Sequence, residues 1–350
     1  MSTGRSSLIM AAGTVTSRVL GFARAVLLAA TIGVTTDAAD AFGVANQLPN
    51  NVYAIIAGGV LNAVLVPQIV KARAHHDGGQ GYIDRLVTLI LVVFASATVL
   101  TTVAAPWLVS LYTSGWSADQ LALATAFAYW CLPQLFFYGL YSLLGEVLNA
   151  RSAFGPFMWA PVLNNIVAIA GLVGYVVLFG ADPTGSRAIS SWGGDQVSLI
   201  AASATAGVAA QALILLVFWR RVGLKLGLNF KWRGVGLRPA AKAASWTLGM
   251  VLVTQLGGLV QSVVASSTVA ARASQGLAIA SIAASSIAWL IFMLPHSIAT
   301  VSIATASFTK ISTHAADGQI DEFKRQVGAS LRAILAFSFF ATAALMVLAY

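Results

Sequence analysis

Charged side chains are scarce in this sequence, since Asp, Glu, Lys and Arg together make up 9 % of its residues. A soluble domain carries about 25 %. Hydrophobic residues account for 58 %, and the mean hydropathy is +0.84. This composition excludes a soluble globular domain and indicates a polytopic membrane protein. Because lipid offers no hydrogen-bond partners and the apolar runs do not alternate, we expect an all-α fold rather than a barrel.

The sequence also lacks the residues and motifs of catalysis. Its single cysteine, Cys131, excludes an internal disulfide and is typical of a small buried side chain. There is no phosphate-binding loop, no nucleophile with its base, no close carboxylate pair and no cluster with metal-ligand spacing. We therefore expect no enzymatic activity, no cofactor, no metal site and no ATP-driven step in this chain.

Long apolar runs are abundant, and each has a length that crosses a bilayer as a helix. We predict nine spans, which cover residues 8–34, 42–70, 86–112, 120–147, 154–180, 196–219, 243–269, 276–308 and 328–350. Prolines interrupt several of them, including Pro49 and Pro133. Membrane helices tolerate such breaks where neighbouring groups satisfy the freed carbonyls. Broken helices are common in transporters, although proline alone favours that class only modestly.

Basic residues predict the orientation and the domain organisation. With the N-terminus in the cytoplasm, most of the 20 Lys and Arg side chains fall on the cytoplasmic side, and Arg187 and Arg272 on the other. The basic loop 220–242 then separates an N-terminal lobe, residues 1–219, from the start of a second lobe, residues 243–350. Topology and contact with anionic lipid explain the net charge of +9 better than nucleic-acid binding does.

Two arginines lie inside the first span, where each costs about 2.5–3.5 kcal/mol at the helix centre. At 100° per residue, five residues of this stretch lie on one face, within an arc of about 120°. They are Thr14, Ser17, Arg18, Gly21 and Arg24. Guanidinium groups bind phosphate through a fork of donors, and Gly21 leaves room for a ligand. The alternatives are that both arginines reach the headgroups or that Arg24 pairs with an acid.

Neutral polar residues occur in the second and seventh spans. The second span carries amides around Pro49, namely Asn46, Gln47, Asn50 and Asn51, with Asn62 further along. In the seventh span, Gln255 and Gln261 either line a cavity or join helices by hydrogen bonds. Asp40 precedes the second span and either caps that helix or pairs with an arginine when the outer mouth closes.

Several motifs resemble the MurJ/MviN family of lipid II flippases. The first is Ser17-Arg-Val-Leu-Gly-Phe-Ala-Arg24, followed by Asp40-Ala-Phe, Leu48-Pro-Asn50 and Val66-Pro67. Later matches are Ser142-Leu-Leu-Gly-Glu-Val-Leu-Asn149, Ala160-Pro-Val-Leu-Asn-Asn-Ile166 and Val253-Thr-Gln255. The resemblance extends over most of the chain, and the first motif is specific in its spacing to Leu-Pro-Asn.

The resemblance implies a fold of two six-helix lobes around a cationic cavity, shared with multidrug and polysaccharide exporters. Two further helices usually follow, so we expect this chain to stop within the second lobe. The family's essential cavity arginines correspond to Arg18 and Arg24, and its acid before the second helix corresponds to Asp40.

The sequence departs from the family pattern at other charged positions. Family members often have Arg-Arg and an acid where this chain has Tyr53, Ala54 and Gly58. An arginine expected in the eighth helix has no counterpart near Trp289. We therefore expect a less cationic cavity, in which Arg18 and Arg24 supply most of the charge.

The implied function is movement of lipid II, the lipid-linked peptidoglycan precursor, across the bacterial cytoplasmic membrane by alternating access. We assign substrate binding to Arg18, Arg24, Ser17, Asn50, Asn62 and Gln255, and gating to Asp40, Gly21 and Pro49. The expected partners are lipid II, membrane lipids and proteins of cell-wall synthesis. The alternatives are export of another lipid-linked glycan, or a non-transporting membrane scaffold for cell-wall enzymes.

Overall fold

The computed structural model describes residues 3–58, 80–151, 153–223, 227–231, 237–275 and 279–348. Within these ranges the chain forms helices joined by turns and contains no strand, which confirms the all-α prediction. The α-helices are α1 Thr3–Ile32, α2 Asp37–Ile56, α3 Gln80–Val103, α4 Ala105–Tyr112, α5 Ala118–Cys131, α6 Gln134–Ala150, α7 Phe154–Phe179, α8 Gly194–Arg221, α9 Leu237–Gln275, α10 Ile282–Pro295, α11 Val301–Ala316 and α12 Ile320–Leu348.

Seven segments in the described part of the chain are long and apolar enough to cross a membrane. They are Ala12–Ile32, Ile83–Val103, Ala118–Asn149, Gly155–Phe179, Gly194–Arg221, Ser245–Val269 and Ile320–Val347. A shorter apolar helix, Ile282–Met293, falls in the eighth predicted span. The second predicted span continues into 59–79, outside the described residues, so the count of nine remains a prediction.

Local chemistry explains where the first helices end and begin. Gly33 ends α1 with a φ of 84°, and a Cβ there would lie 2.5 Å from the Pro183 carbonyl oxygen, so only glycine fits. Thr36 caps α2, because its Oγ1 accepts a hydrogen bond from the Ala39 amide at 3.1 Å. Asp40 therefore does not provide the N-cap of this helix.

Two of the predicted spans are broken helices. The third is divided at Ala104 into α3 and α4, and the fourth is divided at Leu132 and Pro133 into α5 and α6. At the second break, the amide of Leu135 bonds to the Leu132 carbonyl at 3.0 Å, three residues back instead of four. Proline has no amide hydrogen to continue the helical pattern, so the break follows from the sequence.

The chain groups into two compact units, Met1–Ala284 and Ser285–Tyr350. In the first unit, α7 packs against α1 and α8, while α5 and α6 both pack against α8. Helix α9 contacts α2 and α4. In the second unit, α11 packs against α12. The predicted lobe boundary at 220–242 remains a prediction.

Two hydrophobic clusters fill the first unit, and the break in the fourth span lies between them. The first cluster joins α3, α6 and the end of α8, with Phe94, Leu143 and Trp219 among its buried members. The second joins α2, α4, α5 and the start of α8, and includes Phe42 and Phe127. These two rings meet edge to face, with centroids 5.5 Å apart.

Candidate functional site

The polar face of α1 holds both predicted arginines. Arg18 is exposed, whereas Arg24 is half-buried. Helix α7 fixes this face, because the Asn165 amide donates a 2.9 Å hydrogen bond to the Ser17 carbonyl. A Cβ at Gly21 would lie 3.7 Å from the Asn165 amide nitrogen, an ordinary contact. The structure thus places Ser17 and Gly21 beside α7.

Arg24 lines a small cavity of about 40 Å³ inside the first unit. The cavity is bounded by Arg24 and Leu28 of α1, Phe42 and Asn46 of α2, Ala168 and Leu172 of α7, and Ile200, Ser203 and Ala204 of α8. Among the described residues, no carboxylate forms a salt bridge with the Arg24 guanidinium. A half-buried guanidinium without an ion pair retains its full attraction for an anion.

A hydrogen-bonded network lies next to this cavity and centres on Gln134. Its Nε2 donates to Asn46 Oδ1 and to Thr205 Oγ1, both at 3.1 Å. Its Oε1 accepts a 2.9 Å hydrogen bond from the Tyr138 hydroxyl. Tyr138 in turn interacts electrostatically with Arg24. Gln134 is 1 % exposed, so the centre of the network is buried.

The predicted binding amides are dispersed in the structure. Asn50 is exposed on α2, and Gln255 is half-buried on α9, while Asn62 lies outside the described residues. Pro49 is buried within α2. It is Asn46, one turn before Asn50, that shares the cavity with Arg24.

The network members Gln134 and Tyr138 were not predicted as site residues, and Asn46 was named only as one of several amides. One signal was available, since a proline inside an apolar span precedes two polar residues at i, i+4 spacing. Their partner Thr205 lies on another span, so the sequence alone does not connect them.

Asp40 is fully buried and joins α2 to the start of α10. Its Oδ1 accepts a 2.9 Å hydrogen bond from the Ala283 amide in the first turn of α10. This amide is one of those that a helix start leaves without an intrahelical acceptor. The negative charge of Asp40 is also favourable there, because it faces the positive end of the helix dipole.

Ser266 of α9 forms further contacts within the first unit. Its hydroxyl accepts from the Ser114 amide at 2.9 Å, and its carbonyl accepts from Trp116 Nε1 at 3.2 Å. Just before α10, the Ser281 hydroxyl donates to the Ala265 carbonyl at 3.0 Å. The loop between α4 and α5 is thereby bound to α9.

The loop between α7 and α8 is held by hydrogen bonds to both Asp182 and Arg187. Asp182 accepts hydrogen bonds from the Arg187 amide and from the Ser186 amide and hydroxyl, all at 2.8 Å. Burial alone would raise the pKa of this carboxyl, but these hydrogen bonds lower it overall. The Arg187 guanidinium donates to the Tyr175 hydroxyl and the Phe179 carbonyl.

Comparison with known proteins decides the family. A family model described as "Lipid II flippase MurJ" matches residues 28–350. The chain belongs to the MurJ family. Similar relatives include the probable lipid II flippase MurJ of Rhizobium tropici, 26 % identical over 99 % of this chain and 62 % of the relative. The lipid II flippase MurJ of Burkholderia cenocepacia is 32 % identical over 49 % of this chain and 34 % of that protein.

Solved structures agree on the fold. A lipid II flippase MurJ in an inward closed conformation matches with a TM-score of 0.68 and 18 % identity, covering 94 % of this chain and 63 % of that one. An inward-facing MATE family multidrug transporter matches with a TM-score of 0.61 and 16 % identity, over 95 % and 70 %. The chain is thus an integral membrane protein with the fold of MurJ and MATE transporters. It spans about three fifths of the length of the MurJ relatives from Rhizobium tropici and Rhizobium meliloti.

Two positions at which we expect this chain to depart from the MurJ pattern are closely packed. The Tyr53 ring packs against the Tyr138 ring, with centroids 5.7 Å apart. Gly58 approaches α9 so closely that a Cβ there would lie 2.6 Å from Val251 Cγ2. An acid at this position would have no space beside Val251 in this arrangement.

Proposed function

We propose that this chain forms part of a flippase that moves lipid II from the inner to the outer leaflet of the bacterial cytoplasmic membrane by alternating access. The observation that carries this proposal is Arg24, a half-buried guanidinium without an ion pair among the described residues. Arg18 lies six residues earlier on α1, at the other edge of the same 120° arc. Relatives of this chain that are named lipid II flippases support this choice of substrate.

The two arginines bind the pyrophosphate of the headgroup. A guanidinium keeps its charge in an apolar environment and presents a planar fork that matches phosphate oxygens. Neutral amides, Asn50 and Gln255 among the described residues, contact the sugar or peptide, and Asn62 has the same role. The polyprenyl chain remains in the bilayer, because transferring it to water would cost about 0.8 kcal/mol per methylene.

Gating occurs at the Asp40 end of the unit. With the N-terminus in the cytoplasm, this end faces outward. The bonds from Ala283 to Asp40 and from Ser114 and Trp116 to Ser266 hold α9 and residues 282–284 against this end. Breaking them opens the outer mouth and releases the headgroup. Gly21 and Pro49 allow the adjacent helices to adjust.

The test replaces Arg18 or Arg24 by alanine in cells that depend on this protein. We expect growth to fail and lipid II to accumulate in the inner leaflet, with the protein present at normal levels. Arg187→Ala serves as the matched control, because that arginine is bonded within its own loop. Normal growth of both cavity variants with normal outer-leaflet lipid II would reject the proposal.

One alternative has support in particular residues. Tyr53 and Gly58 stand where the family often carries charge, and a less cationic cavity favours a scaffold that recruits cell-wall enzymes without transport. Reconstituting the full-length protein in vesicles that contain lipid II separates the two functions. Translocation by the purified protein rejects the scaffold. The other alternative, export of a different glycan, is tested by measuring how well other lipid-linked glycans compete with lipid II for binding.

A further inference from the structure

The break in the fourth span leaves a backbone carbonyl that needs a donor from elsewhere. In a continuous helix, the Trp130 carbonyl would accept from the amide of Gln134, four residues on. Here the Trp130 carbonyl accepts instead from the Thr205 hydroxyl of α8 at 2.7 Å. A threonine from a neighbouring helix thus satisfies the carbonyl at the break.

This bond fixes the direction of every other bond in the network. Because a carbonyl only accepts, the single Thr205 proton must point to Trp130. The Thr205 oxygen is then an acceptor, so Gln134 must turn its amide nitrogen toward it. The carbonyl oxygen of Gln134 is left on the other side, where it accepts the proton of the Tyr138 hydroxyl.

These hydrogen-bond directions affect the Arg24 cavity in two ways. Asn46 presents its oxygen to the Gln134 amide, so both N–H bonds of Asn46 remain available as donors in the cavity that it shares with Arg24. Tyr138 has given its proton to Gln134, so the lone pairs of its oxygen remain for the cationic Arg24 nearby. A neutral phenol attracts the guanidinium without cancelling its charge, as a carboxylate would.

We propose that Gln134 is a positioning residue that gives the Arg24 cavity its preference for anions. It turns Asn46 into a hydrogen-bond donor beside Arg24, which makes Asn46 a further binding residue for an oxygen of the pyrophosphate headgroup. This inference rests on the proposed function, since it assigns further residues to the same site. At about 40 Å³, the cavity has room for one or two such oxygens.

The chain offers a matched control for Gln134. Gln211 is also a buried glutamine of the first unit, 8 % exposed, and its Oε1 accepts a 2.8 Å hydrogen bond from Asn164 Nδ2. It lies outside the Arg24 cavity. Gln134→Leu and Gln211→Leu each remove a buried glutamine that bonds to an asparagine, so a purely structural role predicts similar effects for both.

The experiment measures binding of two probes to the full-length protein in nanodiscs, a polyprenyl pyrophosphate and the uncharged polyprenol of equal length. We expect Gln134→Leu to weaken binding of the pyrophosphate about tenfold, the effect of one charge-assisted hydrogen bond, and to leave polyprenol binding unchanged. Gln211→Leu should change neither affinity. Thermal unfolding of both variants checks that they are folded.

Asn46→Asp provides a second variant of nearly constant shape. It replaces the N–H donors of Asn46 by oxygens and adds a negative charge beside Arg24. We therefore expect the affinity for the pyrophosphate, and not that for the polyprenol, to fall at least about tenfold.

Equal losses of pyrophosphate affinity in the two glutamine variants, or parallel losses of affinity for both probes, would overturn the inference. If Arg24→Ala also leaves pyrophosphate binding intact, the proposed function fails as well. If Arg24→Ala weakens it and the Gln134 and Asn46 variants do not, only this inference fails.

Discussion

Arg24 and Arg187 belong to the same structural unit, but their surroundings differ in kind. The Arg187 guanidinium donates to Tyr175 and to the Phe179 carbonyl, lies 5.7 Å from the Trp192 ring centre and stands close to Asp182. Arg24 has neutral neighbours and no salt bridge among the described residues. The bonds of Arg187 stabilise the fold locally, whereas the charge of Arg24 remains available for a ligand.

Matched substitutions test this contrast, and they should give the largest effects. We expect Arg24→Met to weaken binding of lipid II about 100-fold, since truncating one partner of a buried charge pair costs about 2–5 kcal/mol. The melting temperature should stay the same or rise, because a desolvated charge has been removed. Lipid II binding and thermal unfolding in detergent measure the two quantities.

Arg187→Met should show the reverse pattern. The loss of its hydrogen bonds should lower the free energy of unfolding by about 1–3 kcal/mol, while lipid II affinity stays unchanged. If both variants lost affinity, or both lost only stability, the distinction between a free and a bonded arginine would be rejected.

A second prediction concerns the buried carboxylate of Asp40. Asp40→Ala leaves the Ala283 amide without its acceptor, which should weaken closure by about 1–3 kcal/mol. Asp40→Asn retains an oxygen and should have a smaller effect. The readout is the rate at which a thiol reagent labels Ser281→Cys, a buried position beside this contact, since native Cys131 is itself buried. Equal labelling in the alanine variant and the parent protein would contradict a gating role.

A third prediction concerns the contact between Gly58 and Val251. Gly58→Ala places a methyl group 2.6 Å from Val251 Cγ2, so the helices must separate or the side chain must move. Overpacking of this kind costs about 1–3 kcal/mol. Adding Val251→Ala should restore stability and transport rate. If the effects of Gly58→Ala and Val251→Ala on stability simply add in the double variant, the two residues are not in contact.

The smallest expected effect is the acid sensitivity of the loop between α7 and α8. Hydrogen bonds lower the pKa of Asp182 in the folded protein below the ordinary value of 3.8. Its stabilisation is therefore present above that pH and is lost as the pH falls through the lowered pKa. Asp182→Asn should be less stable near neutral pH and should lose less stability on acidification. Thermal unfolding across acidic pH measures this difference.

Sequence reasoning found the membrane class and most spans, and it predicts the polar face of α1, because all of these depend on composition or on residues one or two turns apart. It also identified Pro133 as a point of interruption. It did not connect Gln134 with Asn46 or Thr205, which are far away in the chain and meet only through packing of α2, α6 and α8. The sequence also did not decide which residue caps α2, because Thr36 and Asp40 are both of a type that caps helices.

The break at Leu132 and Pro133 has a consequence for cooperativity. Helix α5 belongs to the cluster around Phe127, and α6 to the cluster around Leu143, so one membrane span is shared between two cores. Local opening of one core need not propagate through this joint. We expect amide hydrogen exchange to resolve two levels of protection along the span, separated at Pro133. Thr205→Val should widen the difference, because it removes the hydroxyl that bonds to both sides of the joint.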